Sequence, residues 1–180
     1  MQSTGKTVPG RECGSCMMCC KVLGIRQAEL RKEAGVWCPQ VVPGKGCGIY
    51  ENRPQVCRNF YCHWMINPNL GPEWKPERAK FVLHTGTKKI GEQLIILSVD
   101  PSFPNAWTKA PYFEMIKKWA RDGAAEGRLV LVQIGSRHIA VLPDRIVEIG
   151  KLDGEFRFAL GPKLEASGVS YGVLINGRLF

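Results

Sequence analysis

The sequence has no cysteine after Cys62, although eight cysteines fall between Cys13 and that position. It also has no apolar segment of the roughly 20 residues that crossing a bilayer requires. The longest apolar runs cover only 94–99 and 129–134. The first eleven residues are polar and lack the apolar stretch of a secretory signal. We therefore expect no membrane span, no export and a cytoplasmic location.

Several catalytic signatures are missing as well. The sequence has no Gly-x-Ser-x-Gly elbow, no His-Glu-x2-His zinc motif and no dinucleotide fingerprint. Residues 86–92 do not make a phosphate loop, because Glu92 stands where that motif requires lysine, and we expect a basic hairpin loop there. The sequence therefore offers no recognisable nucleophile for a hydrolase or protease and no cofactor-binding loop for hydride transfer. Whether the protein is an enzyme stays open.

No concentrated basic tract is present, although 25 Lys and Arg exceed 16 Asp and Glu to give a formal net charge of +9. Residues 1–78 contain 11 basic and 6 acidic residues, and the remainder contains 14 and 10, so the excess is divided almost evenly. Nucleic acid is therefore not the expected partner. A protein partner contacting the C-terminal region is the alternative.

Glycine, proline and cysteine punctuate the first 78 residues, whereas alternating apolar segments follow. We predict a cysteine-cluster metal-binding region at 1–78 and an α+β region of unassigned role at 79–180, with the boundary near 76–79. The predicted fold class is α+β, because strands cluster together and only one long helix is visible. An irregular cysteine-rich metal-binding N-terminal part should precede a small, mostly antiparallel sheet with one main helix.

Short elements are predicted in the N-terminal part. Residues 26–34 indicate a helix that ends at Gly35. A second helical turn over 54–60 begins at Pro54, because the missing N–H of proline costs nothing at the first helical position. Cys57 then lies in the first turn, where exposed N–H groups favour a thiolate over a thiol.

Longer elements are predicted in the C-terminal part. Residues 80–84 and 93–100 are typical of strands, and 111–126 are typical of a helix, with Thr108 or Lys109 near its start. The inner face of this helix should contain Phe113, Ile116 and Ala120. Two hairpins are expected, one joining 128–134 to 138–142 through 135–136, the other joining 173–175 to 178–180 through 176–177.

The cysteines follow the pattern Cys13-x2-Cys16-x2-Cys19-Cys20, and four more stand at Cys38, Cys47, Cys57 and Cys62. A disulfide scaffold would suit a secreted chain, but no export signal is present. Buried cysteines can act as small apolar residues, which hardly explains eight within fifty positions. Metal ligation explains the clustering best, because thiolates bind soft or borderline ions such as zinc and iron.

The adjacent pair Cys19–Cys20 constrains how the thiols are shared. Consecutive side chains tend to diverge, so the pair should serve two metals, or one member should be a packing or reactive thiol. The run from Cys13 to Cys19 also matches the three-cysteine core of bacterial ferredoxins, although the fourth spacing is absent. Zinc is therefore placed ahead of an iron–sulfur cluster. Eight ligands can hold two zinc ions, or one four-iron cluster with four thiols spare.

A wider pattern carries a family resemblance. Trp37-Cys38 and the run Gly46-Cys47-Gly48-Ile49-Tyr50-x2-Arg53-Pro54-x2-Cys57-Arg58-x-Phe60-x-Cys62-x-Trp64 follow the first cysteine motif. Residues 13–64 thereby resemble the YkgJ-like cysteine-cluster family, described as a zinc- or iron-chelating domain in mostly bacterial proteins of unestablished activity. The resemblance implies that all eight cysteines are metal ligands: Cys13, Cys16, Cys19, Cys20, Cys38, Cys47, Cys57 and Cys62.

Residues beside the cysteines are candidates for supporting the metal. Tyr50, Arg53 and Arg58 offer hydrogen-bond donors and two cations to an anionic thiolate site. Arg58 beside Cys57 is favoured for that role, whereas surface ion pairing and packing explain the other two equally well. His63 should be hydrogen-bonded or exposed rather than a ligand, because neighbouring positions point apart, and His84 and His138 should be structural.

Three functions follow from these features. The first is a zinc- or iron-binding protein whose metal is held by N-terminal thiolates. The second is an iron–sulfur-dependent enzyme acting on a protein substrate, since related cysteine clusters occur in flagellin lysine methylases. The third is a thiol redox sensor in which one member of the Cys19–Cys20 pair is oxidised.

Overall fold

The structure is a computed structural model that describes residues 7–86, 94–152, 156–166 and 168–180. The N-terminal part consists of short elements joined by turns. Helix α1 (Met18–Val22) is followed by two small hairpins, β1 (Ile25–Arg26) with β2 (Arg31–Lys32), and β3 (Val41–Val42) with β4 (Gly46–Cys47). Helices α2 (Gln55–Arg58), α3 (His63–Ile66) and α4 (Pro76–Ala79) complete this part.

The C-terminal part is built on a five-stranded sheet with the strand order β5-β6-β7-β8-β9. Its strands are β5 (Phe81–Gly86), β6 (Leu94–Val99), β7 (Leu129–Ile134), β8 (Arg137–Val141) and β9 (Ile146–Lys151). All neighbours are antiparallel except β6 and β7, which are parallel and are connected through helix α5 (Tyr112–Gly123). A parallel pair requires such a crossover, because its strands run in the same direction.

A second sheet lies beside the first and contains three antiparallel strands. They are β10 (Phe158–Glu165), β11 (Gly168–Ile175) and β12 (Arg178–Leu179). The turn between β11 and β12 places Asn176 and Gly177 at positive φ, as the two-residue hairpin signal Asn-Gly predicts. Among the described residues, no helix combines the length and the apolar character needed to cross a membrane.

One face of the five-stranded sheet forms the main core with helix α5. Side chains alternate between faces along a strand, so Phe81, Leu83 and Leu97 point to the same side and pack against Ile116 and Ala120. All five are at most 4 % exposed. This packing holds the sheet rigid, so that its other face is a fixed surface for the segments that pack on it.

The opposite face is covered at two places by different parts of the chain. The β10–β11 hairpin contributes Phe158, Val173 and Ile175, which pack with Leu129 and Leu131. At the other edge, helices α1 and α3 pack on β5 through a second apolar cluster of Met18, Val22, Met65 and Val82. The cysteine-bearing segment is thus attached to the sheet at strand β5.

The α+β fold class and the mostly antiparallel sheet are confirmed. The helix predicted over 111–126 is present as α5, Tyr112–Gly123, and its last predicted turn is a 3-10 helix at Ala124–Glu126. The predicted hairpin around Gly135 is present, with Gly135 at positive φ. The loop predicted for 86–92 lies, apart from Gly86, outside the described residues.

The helix predicted over 26–34 is wrong, because this segment forms the β1–β2 hairpin with Ile25 opposite Lys32. Nine residues of moderate helix propensity are too few to be stable without packing. In the hairpin, Lys32 is buried, and its ammonium group donates to the carbonyls of Lys21, Leu23 and Glu33. These tertiary contacts therefore outweigh the local preference for a helix.

A buried ion pair connects helix α1 to the end of strand β6. The Lys21 Nζ and Asp100 Oδ1 atoms are 2.6 Å apart, and both side chains are largely removed from solvent. Asp100 also accepts a hydrogen bond from the Ser102 N–H, and these donors hold the pKa of its carboxyl below the ordinary value, although burial opposes them. The pair fixes the orientation of the helix that bears Cys19 and Cys20.

Substituting Asp100→Asn should lower the free energy of unfolding by about 1.5–3 kcal/mol, the usual contribution of hydrogen bonds to a charged group. Because the folded-state pKa lies below 3.8, the stabilisation is present above about pH 4 and is lost as pH falls through the folded-state pKa. The difference between wild type and variant should therefore disappear in strong acid. Urea denaturation at several pH values measures it.

Asp122→Asn is the matched control for this prediction. It removes the exposed ion pair between Lys118 and Asp122 on helix α5 and should cost at most about 0.5 kcal/mol. Equal destabilisation by the two substitutions would contradict the structural role assigned to the Lys21–Asp100 pair.

Candidate thiolate site

All eight cysteines are free thiols, and all of them line one groove between the N-terminal part and the sheet. The groove has a volume of about 1550 Å³. Cys38 and Cys62 are buried, and the other six are half-buried. Segments that are widely separated in sequence therefore place their sulfur atoms on the same side of the molecule. Within this arrangement, backbone contacts divide the thiols into two groups.

The first group comprises Cys13, Cys16, Cys19 and Cys62, which pack together in the apolar cluster on strand β5. A turn closed by the Cys16 N–H and the Cys13 carbonyl, 2.8 Å apart, joins the first two. Arg11 brings this turn to Cys62, because its guanidinium donates to the carbonyls of Trp64 and Asn67 at 2.5 and 2.9 Å. Residues about fifty positions apart are thereby held side by side.

The second group comprises Cys20, Cys38, Cys47 and Cys57. The Cys38 N–H donates to the Cys20 carbonyl at 2.9 Å, and the Val41 N–H donates to the Cys38 carbonyl at 3.1 Å. Val41 is in turn the strand partner of Cys47. Cys57 lies on helix α2, within electrostatic reach of the other three thiols.

Burial and mutual repulsion control the protonation of the first group. Burial, with a smaller contribution from the charges of Cys13 and Cys16, raises the pKa of Cys62 to about 11. Burial likewise raises the pKa of Cys13 and Cys16. Backbone N–H groups oppose this effect, from Met65 at Cys62 and from Met18 at Cys16. The sulfur atoms already accept hydrogen bonds that favour the thiolate, but without a cation these bonds do not outweigh burial.

Cys57 departs from its predicted behaviour. The helical turn is present but covers only Gln55–Arg58, and the pKa of Cys57 is raised by burial and by the charges of neighbouring thiols. A helix of four residues has too little dipole to offset these effects. The expectation that its position would favour the thiolate is therefore wrong.

Cys19 and Cys20 do not diverge as predicted, because their side chains are hydrogen-bonded to each other on helix α1. This bond raises the pKa of Cys19, and it lowers that of Cys20 to about 7. The positive charges of Lys32 and Arg53 also lower the pKa of Cys20. The pair lies where the two groups of thiols meet.

Lys32 is the principal cation that the sequence did not point out. It is only 8 % exposed, and burial lowers the pKa of its ammonium group, although the charges of nearby thiols, Cys38 foremost, oppose this effect. Its ammonium group is held by backbone carbonyls, as described above for the β1–β2 hairpin. A fixed positive charge therefore stands beside the second group.

The three residues predicted to support the metal have different positions. The guanidinium of Arg53 stacks on the Tyr50 ring, 3.7 Å from its centroid, and its charge lowers the pKa of Cys13 and Cys20. Tyr50 itself is exposed. Arg58, which the sequence favoured for this role, is also exposed, and its support of the metal stays a prediction.

The sheet contributes polar side chains to the lining of the same groove, among them His84, Gln133 and His138. His84 Nε2 lies 3.0 Å from Ser98 Oγ, which donates to Gln133 Oε1 at 3.3 Å, and Gln133 pairs across the strands with His138. Burial lowers the pKa of His84 to about 4, so the imidazole is neutral at physiological pH. His63, also on the groove, has its pKa lowered by burial.

The donor set fits a thiophilic ion in its chemistry. Sulfur ligands favour zinc, copper(I) and iron–sulfur clusters over hard cations such as magnesium. Among the described residues, no group of three or more His, Cys, Asp and Glu side chains converges closely enough to hold an ion. The sulfur atoms have the positions of free thiols, gathered in one groove but not directed at a common centre.

Comparisons of the chain with protein-family models, with curated proteins and with solved structures found no match. The resemblance to the YkgJ-like family accordingly stays a prediction.

Replacing Lys32 by methionine should destabilise the protein by about 1–3 kcal/mol, because three backbone carbonyls lose a buried donor. The pKa of Cys20 should also rise above about 7, since the substitution removes a nearby positive charge. Urea denaturation measures the first effect, and the pH dependence of Cys20 alkylation measures the second.

Arg31→Met is the control, because Arg31 is exposed on the same strand β2. It should change the free energy of unfolding by no more than about 0.5 kcal/mol. If both substitutions leave Cys20 alkylation unchanged, the electrostatic role of Lys32 is refuted.

Proposed function

We propose that the protein binds a soft or borderline metal through the thiolates of its N-terminal part. The observation that carries this proposal is the gathering of eight unpaired thiols, from separate segments, along one groove. Scattered structural cysteines would not be expected to line the same groove. Disulfide scaffolding is also a poor alternative, since the chain holds these sulfurs as free thiols.

The electrostatics of the groove support a cation. Burial and neighbouring charges raise the pKa of Cys13, Cys16 and Cys62, so grouping thiolates here is unfavourable unless a positive charge accompanies them. Lys32 and Arg53 supply part of that charge. A bound metal would supply the rest, and ligation would release the thiol protons.

Zinc is the proposed metal, and an iron–sulfur cluster is the alternative. The ligands would be drawn from Cys13, Cys16, Cys19, Cys20, Cys38, Cys47, Cys57 and Cys62. Zinc would cross-link segments that have few other contacts, whereas a cluster would add one-electron redox chemistry. Free thiols in this number also favour a reducing compartment, and we propose the cytoplasm.

The groove favours an iron–sulfur-dependent enzyme as a second candidate function. The groove that holds its thiols is also lined by the polar side chains of His84, Gln133 and His138. Such an arrangement could orient a protein side chain beside the metal. Iron and acid-labile sulfide in an anaerobic preparation would support this function, and their absence after anaerobic reconstitution would remove it.

Anaerobically purified protein should contain at least one zinc or iron per chain by elemental analysis. Fewer than eight thiols should then react with a thiol reagent until the metal is removed. The metal-free protein should have a free energy of unfolding about 3 kcal/mol lower than that of the protein in free metal at 100 times Kd. A visible spectrum distinguishes colourless zinc from a brown cluster.

Magnesium is the control cation, because a hard ion that prefers oxygen ligands should neither protect the thiols nor restore stability. The proposal fails if eight thiols remain reactive in the presence of excess zinc and if metal-free protein melts at the same temperature as the purified form.

A further inference from the structure

Four polar side chains lie next to one another on the face of the five-stranded sheet that lines the groove. They come from four neighbouring strands and form what we call the polar patch: His84 on β5, Ser98 on β6, Gln133 on β7 and His138 on β8. Ser98 and Gln133 are strand partners, and so are Gln133 and His138. His84 shares this face, because it is two residues from Val82, the strand partner of Ser98.

Hydrogen bonds hold the side chains of the polar patch in fixed orientations. Ser98 is only 1 % exposed, whereas the other three residues line the groove. Ser98 Oγ donates to Gln133 Oε1 at 3.3 Å and lies 3.0 Å from His84 Nε2. Gln133 Nε2 in turn donates to the Gly135 carbonyl at 3.2 Å. The buried hydroxyl thus orients two side chains that reach the groove, as a binding site requires.

The polar patch is uncharged at physiological pH. Burial lowers the pKa of His84 to about 4. Burial also lowers the pKa of His138, although the Gly150 carbonyl, 3.2 Å from Nδ1, opposes this effect. Imidazole, hydroxyl and carboxamide groups each offer a donor and an acceptor. The patch therefore presents hydrogen-bonding capacity of both kinds without a net charge.

A polar patch is not what the stability of this face requires. Neighbouring positions on the same face, such as Leu94, Leu131 and Ala140, are apolar and buried beside the β10–β11 hairpin. Apolar side chains at the patch would avoid the cost of burying polar groups. A few oriented polar groups in an otherwise apolar lining, here including Phe60 and Phe156, are instead typical of a ligand site.

We infer that the polar patch binds an extended peptide segment of a partner protein through the uncharged amide groups of that segment. A main-chain amide presents one donor and one acceptor, which matches the groups of the patch. A charged ligand would lose its hydration without meeting an opposite charge there. The groove volume of about 1550 Å³ exceeds the roughly 300–1,000 Å³ of small-molecule pockets, which favours an extended segment. This binding requires no metal, so the inference goes beyond the proposed function.

Selection of a displayed library of random peptides against the reduced full-length protein tests the inference. Enriched peptides, synthesised with capped ends and a fluorescent label, should bind with saturable polarisation. Gln133→Leu and His138→Leu should each weaken binding by about tenfold, the effect of losing one buried hydrogen bond. Asn69→Leu is the control, because Asn69 is exposed and does not belong to the groove lining, and it should leave the affinity unchanged.

Nuclear magnetic resonance of the wild-type chain avoids any folding defect in the variants. An enriched peptide should shift the side-chain signals of His84, Gln133 and His138 together and leave the Asn69 amide signal in place. The same peptide with N-methylated main-chain amides should not compete, because it has lost its N–H donors. Glucose, an uncharged polar probe without amides, should leave all three patch signals unchanged.

The outcomes separate this inference from the proposed function. Failure to enrich any peptide, equal binding by wild type and both patch variants, or shifts confined to other surfaces would each overturn the inference. Shifts caused by glucose without peptide binding would assign the patch to a small polar ligand and would also overturn it. Peptide binding by protein that binds neither zinc nor iron would support the inference while refuting the proposed function.

Discussion

The N-terminal part depends on one electrostatic constraint, the cost of holding many thiolates close together and away from water. Burial raises the pKa of Cys13, Cys16 and Cys62, and neighbouring thiols add to the effect. The chain opposes this cost with backbone N–H groups, with Arg53 and with the buried ammonium of Lys32. These groups leave the site short of positive charge, which a metal ion would supply.

The sheet gives this weakly structured part a rigid support. Helix α5 and strands β5 to β8 form one continuous apolar core, so strand β5 presents a fixed surface to Met18, Val22 and Met65. The Lys21–Asp100 pair and Arg11 anchor the same region from two other directions. The cysteine-bearing segments themselves contain helices of only four or five residues and strands of two. The arrangement of these segments therefore depends on the Lys21–Asp100 pair, on Arg11 and on packing against strand β5.

Elements with strong local signals could be predicted from the sequence. Alternating apolar residues identified strands β5 to β8, and Asn176-Gly177 identified the final turn. The helix predicted over 26–34 was wrong because tertiary contacts determine the structure of this segment. It forms a hairpin in which Lys32 donates to a backbone carbonyl of α1. Lys32 could not be predicted as a site residue for the same reason, because its position beside the thiols depends on these tertiary contacts. The cysteines were obvious candidates, but their division into groups depends on backbone contacts that spacing does not encode, such as the one between Cys38 and Cys20.

X-ray absorption at the edge of any metal that copurifies with the protein tests the central claim most directly. We predict a first shell made entirely of sulfur, with about four sulfur atoms at about 2.3 Å if the metal is zinc. A first shell dominated by nitrogen or oxygen at about 2.0–2.1 Å would place the metal away from the cysteines and contradict the account.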